Sequence, residues 1–205
     1  MTVRPVVFRS FRFKLEGCKS NADAVQLSEL KLLDGGDDVT RPYASIGYDE
    51  TAEDDATPYP AKENPSLLVD GTVDTKWLDW RILPSHPAAD HERAWLQINY
   101  DAPKHITGYA WYTANDRSER DPTAWRLQGS NDGGATWVDI DVQTGFTATA
   151  TRKTLTGTFA VKGAFSRESQ IVVEPDATLR VDGGSLSPPL NFAGFDLASN
   201  ILLLS

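Results

Sequence analysis

The side chains best suited to chemistry in this chain are aromatic, Arg, His and Asp residues, and they concentrate in two stretches. The first runs from Trp77 to Arg93 and gathers Trp80, Arg81, His86, His91 and Arg93 into one segment bounded by strand-like text. The second, Thr113 to Trp125, is a polar run carrying Arg117 and Arg120 directly after the aromatic segment that ends at Tyr112. A flat ring stacks on the C–H face of a sugar, while guanidinium, imidazole and carboxylate groups bond its hydroxyls. Such a mixture suits saccharide recognition when loops carry it on a rigid scaffold. Trp80, Arg81, His86, His91, Arg117 and Arg120 are therefore the candidate ligand-binding residues. Each has a plainer reading. Trp77 is expected in the core, Trp80 is balanced between core and surface, and the near-neutral second loop could pair its charges internally.

Catalytic patterns are missing from the same text. Glycoside hydrolysis needs two carboxylates facing across a cleft, and the acidic residues here fall mainly in turn-rich stretches such as Asp34 to Asp38 and Asp54-Asp55, with no pair that stands out. No Gly-x-Ser-x-Gly elbow or phosphate-binding glycine loop occurs, and His91-Glu92 is only a fragment of a zinc-hydrolase motif. Cys18 is the only cysteine, which excludes an internal disulfide and a multi-cysteine metal site. A binder is expected, not an enzyme.

Positioning those loops requires strands. Phe11-Arg12-Phe13-Lys14-Leu15 and Trp95-Leu96-Gln97-Ile98 alternate with the period of two that exposes one sheet face and buries the other. Val25 to Leu30, Tyr109 to Tyr112, Trp125 to Gln128 and Trp137 to Ile140 continue the pattern, and Asn131-Asp132-Gly133-Gly134 predicts a hairpin turn. No window holds a helical period over ten residues, so helices should be short and few. The expected fold is an all-β antiparallel sandwich over residues 1–163. After Gly163 the tryptophans stop, and residues 164–205 are expected to form a β-rich extension or to begin another module.

Composition narrows the partners. A chain of 205 residues that is 40% hydrophobic can build a substantial core, and its net charge of -9 disfavours nucleic acid and anionic membranes. No apolar run reaches membrane-spanning length. The Met1-Thr2-Val3-Arg4 start opens no apolar stretch of signal-peptide length, so an extracellular or cell-surface location is expected through a larger exported protein or virion.

Three segments together resemble the discoidin (coagulation factor 5/8 type C) and galactose-binding-like domains. They are Asn64 to Trp77 with its Asp70-Gly71-x-x-x-Thr75-x-Trp77 core, Trp95 to Tyr100, and Leu127 to Trp137. The resemblance covers roughly residues 8 to 163 and implies a jelly-roll sandwich. Phe11 to Leu15 and Ala24 to Leu32 look like the family's two closing strands placed first, as in a circular permutation, which closely spaced termini make physically easy. The resemblance also implies a structural Ca²⁺ bound by the Asp70 and Glu29 carboxylates, main-chain oxygens of Ser28, Leu67 and Thr72, and the Thr75 carbonyl or hydroxyl. Ca²⁺ accepts such oxygen-only mixtures. Ala114 stands near the place where sugar-binding relatives carry an Arg, which counts against galactose itself. Two functions compete: a non-catalytic carbohydrate-binding module taking a glycan or polysaccharide, and a structural or adhesion domain of a bacterial surface protein or phage tail fibre with a protein partner.

Overall fold

The computed structural model describes residues 6–19, 21–50, 59–82 and 92–161, with the short strands 180–181 and 203–204. The chain divides into two compact units, Met1–Ser166 and Arg167–Ser205. In the second, Arg180–Val181 pairs in parallel with Leu203–Leu204.

The first unit is all-β. Its strands are β1 (Val6–Gly17), β2 (Val25–Leu27), β3 (Glu29–Asp34), β4 (Asp37–Asp38), β5 (Ser45–Tyr48), β6 (Trp77–Asp79), β7 (Trp95–Ile106), β8 (Gly108–Tyr112), β9 (Ala124–Ser130), β10 (Val138–Gln143) and β11 (Leu155–Ala160). One sheet has the order β10-β9-β1-β7-β5, a second β11-β8-β3-β4, and β2 pairs separately with β6. The pairings among these strands are antiparallel. Two short 3₁₀ turns, Pro65–Val69 and Ser118–Arg120, are the helical elements among the described residues.

The period-two text of β1 explains its central position. Phe11, Phe13 and Leu15 are essentially fully buried, while the alternate residues Arg12 and Glu16 keep partial exposure. A strand with one continuous apolar face can be flanked on both edges, and β1 pairs with β7 and β9 over almost its whole length. The core between the sheets is aromatic. Trp111 meets Trp125 edge-to-face at 5.5 Å, Phe13 meets Tyr109 at 6.3 Å, and the Trp125 Nε1 donates to the Tyr109 hydroxyl at 2.8 Å. Such edge-to-face pairs add stabilisation beyond the area they bury.

Val25 to Leu30, one run in the sequence, is broken at Ser28. Residues 25–27 pair with β6, and from Glu29 onward the chain pairs with β8. Ser28 makes the change of partner, its N–H donating to the Tyr112 carbonyl at 3.0 Å and its hydroxyl to the Thr113 carbonyl at 2.7 Å. The Asn131 to Gly134 turn joins β9 to β10, with Gly133 and Gly134 at φ 72° and 94°.

Gly129 in β9 gives a test of this packing. A Cβ there would collide with the ring of Phe8. Gly129→Ala should therefore lower stability by about 1–3 kcal/mol through overpacking, read as a shift in the chemical-denaturation midpoint. An unchanged midpoint would mean that the Phe8 ring does not lie over this glycine.

Candidate functional site

Both candidate loops converge on β2. Val25 pairs with Asp79 from the first loop, and Asp23, two residues earlier, accepts both Arg120 Nε at 2.5 Å and Arg120 Nη2 at 2.9 Å from the second. Gln26 of the same strand donates to the Asp116 carboxylate at 2.9 Å and to the Arg117 carbonyl at 3.3 Å.

Trp77 is fully buried, as expected, whereas Trp80 is 37% exposed. Arg81 does not face solvent with it. Its side chain is 7% exposed and folds back on the fully buried Asp79, with Nε and Nη2 donating at 3.1 and 2.8 Å. Burial pushes the Asp79 carboxyl up, and the Arg81 guanidinium opposes that push. Arg81, expected to read a ligand, has its fork filled by a buried carboxylate, and an unpaired buried charge is costly. His86 and His91 lie outside the described residues.

In the second loop, Arg120 is held by Asp23 and is only 14% exposed at its side chain, so it too is committed. Arg117 retains 55% side-chain exposure and touches Glu119 at 3.3 Å. It sits at φ 38°, ψ 79°, a left-handed conformation that L residues seldom adopt, at the entry to the 3₁₀ turn. The Asp116 and Asp121 carboxylates of the loop are paired with cations from other segments. The Lys76 ammonium donates to Asp116 and Gln26, both at 2.9 Å, and Arg152 grips the buried Asp121 with two 2.7 Å bonds. Burial pushes the Asp121 carboxyl up and Arg152 opposes it. These partners, Lys76 and Arg152, lie outside the loop, and sequence reading missed both. Among the described residues of the two loops, Trp80 and Arg117 are an aromatic ring and a guanidinium that keep substantial exposure.

The Asp70-Gly71 loop follows the first 3₁₀ turn, which Asn64 caps by accepting the Ser66 N–H at 3.0 Å. Gly71 is at φ +88°, and an added Cβ would lie 2.8 Å from the Arg41 guanidinium, so both conformation and space require glycine. The loop closes on itself, with Asp70 accepting the Thr72 N–H at 3.0 Å and the Thr75 hydroxyl at 2.6 Å. Glu29, 42 residues away in sequence, lies against it and accepts the Gly71 N–H at 3.1 and 3.2 Å. Glu29 is 4% exposed, and burial, with the Asp70 charge adding to it, pushes its carboxyl up to about 8. Ser28 is the neighbouring residue and Leu67 lies in the 3₁₀ turn. The loop thus has two carboxylates near it, Glu29 and Asp70, with the Arg41 guanidinium beside Gly71. Among the described residues no three His, Cys, Asp or Glu side chains form a cluster of their own.

The F5/8 type C domain model matches residues 50–165. A 45-residue stretch, 22% of this chain, is 49% identical to part of a peptide-N(4)-(N-acetyl-beta-glucosaminyl)asparagine amidase of Arabidopsis thaliana, of which it spans 6%. No solved structure matches the chain. With more than half its length matched and an all-β architecture, this chain belongs to the F5/8 type C domain family, a family of generally non-catalytic carbohydrate- or lipid-binding modules.

Proposed function

We propose that this sandwich is a non-catalytic carbohydrate-binding module whose ligand, a glycan, docks at the surface around Trp80 and Arg117, and whose Asp70-Gly71 loop and Glu29 hold a structural Ca²⁺. The observation that carries the glycan reading is Trp80, 37% exposed while Trp77, Trp111 and Trp125 are buried. The Asp79–Arg81 pair brackets its backbone, which limits the ordering needed there on binding. Arg117 supplies an exposed guanidinium for hydroxyls. Asp79 and Asp121, carboxyls that burial raises, are each clamped by an arginine, which leaves neither placed as a general acid. As part of a longer exported or virion protein, such a module would hold its partner domains on a glycan-bearing surface.

For the cation, Glu29 and Asp70 would supply carboxylates, and Ser28, Leu67, Thr72 and Thr75 the remaining oxygens. Its role would be to tie the loop to the start of β3, neutralising two carboxylates that otherwise repel each other.

The amidase relative, named for an N-acetyl-β-glucosaminyl-asparagine linkage, makes N-acetylglucosamine oligosaccharides the first probes. In titration calorimetry, Trp80→Ala should weaken glycan binding at least about tenfold while the melting temperature stays within about 1 °C, since surface substitutions rarely exceed about 0.5 kcal/mol. Unchanged affinity, or a large fall in melting temperature, would remove Trp80 from the site.

A further inference from the structure

The outer face of the five-stranded sheet carries an arrangement that neither loop explains. Antiparallel register puts Asp139, Gln128, Arg12, Gln97 and Gly47 in one row across β10, β9, β1, β7 and β5. Arg12 stands at its centre between two indoles, its guanidinium carbon 4.3 Å from the Trp137 ring centroid and 5.9 Å from that of Trp95. Glycines keep the neighbourhood of both rings low. Gly47 lies beneath the edge of Trp95, and Gly134 beneath Trp137 and the Gln97 amide. Both indoles are half-buried, in contrast to the core tryptophans.

The polar groups around them are held in place. Arg12 Nε donates to Gln128 Oε1 at 2.8 Å, and Gln128 Nε2 donates to Asp139 at 2.7 Å. Gln97 Nε2 donates to Asn99 at 2.7 Å, and Asn99 Nδ2 donates to Ser45 at 3.1 Å. Lys14 is paired with Glu92, and Arg126 with Glu16 and Asp139. The two terminal amines of Arg12 are different: they donate to no acceptor among the described residues. Burial lowers the Arg12 pKa, with Glu92 and Asp139 opposing at longer range. A half-buried guanidinium with its fork empty is complementary to one group above others, a carboxylate that accepts both N–H bonds in parallel.

We propose that this sheet face is a second saccharide site, selective for a carboxylate-bearing sugar that binds Arg12 through its acid group and stacks on Trp95 and Trp137. Charge complementarity chooses the occupant. Among the described residues three cations and three carboxylates of the patch offset one another, so the protein's overall negative charge is not repeated here, and the Arg12 fork is open to be filled. The Gln97 and Asn99 amides lie along the same strand and would read hydroxyls. This inference rests on the glycan reading above but uses the opposite kind of surface, a sheet face and not a loop.

The test titrates the full chain with a glucuronate-containing oligosaccharide and with the same oligosaccharide after its carboxyls are reduced to alcohols. Wild type should favour the acid form about tenfold or more. Arg12→Lys keeps the charge but loses the fork, and should abolish that preference; Trp137→Ala should weaken both forms. Equal binding of the two oligosaccharides, binding of neither, or an Arg12→Lys variant that keeps the preference overturns the proposal. The comparison of ligands on wild type needs no substitution, so it decides even if a variant folds poorly. If Trp80→Ala abolishes binding while Arg12→Lys and Trp137→Ala bind as wild type, the face proposal falls and the loop site stands. The reverse pattern supports the face.

Discussion

Arg81→Ala is expected to lower the melting temperature by on the order of 10 °C, from a loss of about 3–5 kcal/mol. The reason is the carboxylate left behind. Asp79 is fully buried and receives the Arg81 backbone N–H at 2.9 Å besides both guanidinium bonds. Without the guanidinium, the upward push of burial on the Asp79 carboxyl is unopposed, so the folded protein prefers it protonated. A carboxyl whose folded pKa lies above its unfolded value stabilises the fold at low pH and loses that contribution as pH rises through the folded value. The defect of Arg81→Ala should therefore grow as pH rises above the ordinary carboxylate range. Adding Asp79→Asn removes the charge itself and should restore part of the lost stability, a coupling read by comparing the double variant with both single ones. A melting temperature within 2–3 °C of wild type, independent of pH, would show that water reaches Asp79 and that the pair is structurally minor. Either result also bears on ligand binding, because Trp80 stands between the two paired residues in sequence.

The same pair marks where sequence reading stopped. Period-two alternation located β1, β7, β8 and β9, and the Asp-Gly and Asn-Asp-Gly-Gly turns located the loops, because both signals are local. Whether an arginine faces solvent is not local. Arg81, Arg117 and Arg120 look alike in the text, yet Arg81 is sequestered by Asp79, Arg120 is held by Asp23 across 97 residues, and Arg117 remains exposed. Arg12 shows the converse. Its outward position was readable from Phe11-Arg12-Phe13, but its neighbours Gln128, Trp95 and Trp137 come from segments more than 80 residues away, which the sheet register brings together. The adjacency of Glu29 and Asp70 was legible for a different reason: it came from a motif resemblance, and the Gly71 to Glu29 bonds now give it geometry.

If Glu29 and Asp70 hold Ca²⁺, chelation should lower the melting temperature, by about 5–10 °C when the ion was present at about a hundred times its dissociation constant, since that excess contributes about 2.7 kcal/mol. Mg²⁺ should restore little, because a loop of mixed carbonyl and carboxylate oxygens does not provide the compact octahedron it demands. The pH dependence sharpens the test. In the chelated protein, burial and the Asp70 charge raise the Glu29 carboxyl from 4.5 to about 8. Because the folded value is the higher one, Glu29 favours the fold most below pH 4.5, and that contribution declines as pH rises toward 8. The ion needs the carboxylate, so its binding strengthens over the same window, and the melting-temperature difference between calcium-loaded and chelated protein should be small near pH 5 and largest near pH 8. Glu29→Gln removes both effects: it hydrogen-bonds without titrating and gives the cation one carboxylate instead of two. A chelation effect that is absent at pH 8 would leave Glu29 as a buried, protonated acid bonded to the Gly71 amide. One that persists in Glu29→Gln would place the cation elsewhere. Only a difference that grows with pH and disappears with Glu29→Gln joins the start of β3 and the Asp70-Gly71 loop through a shared ion.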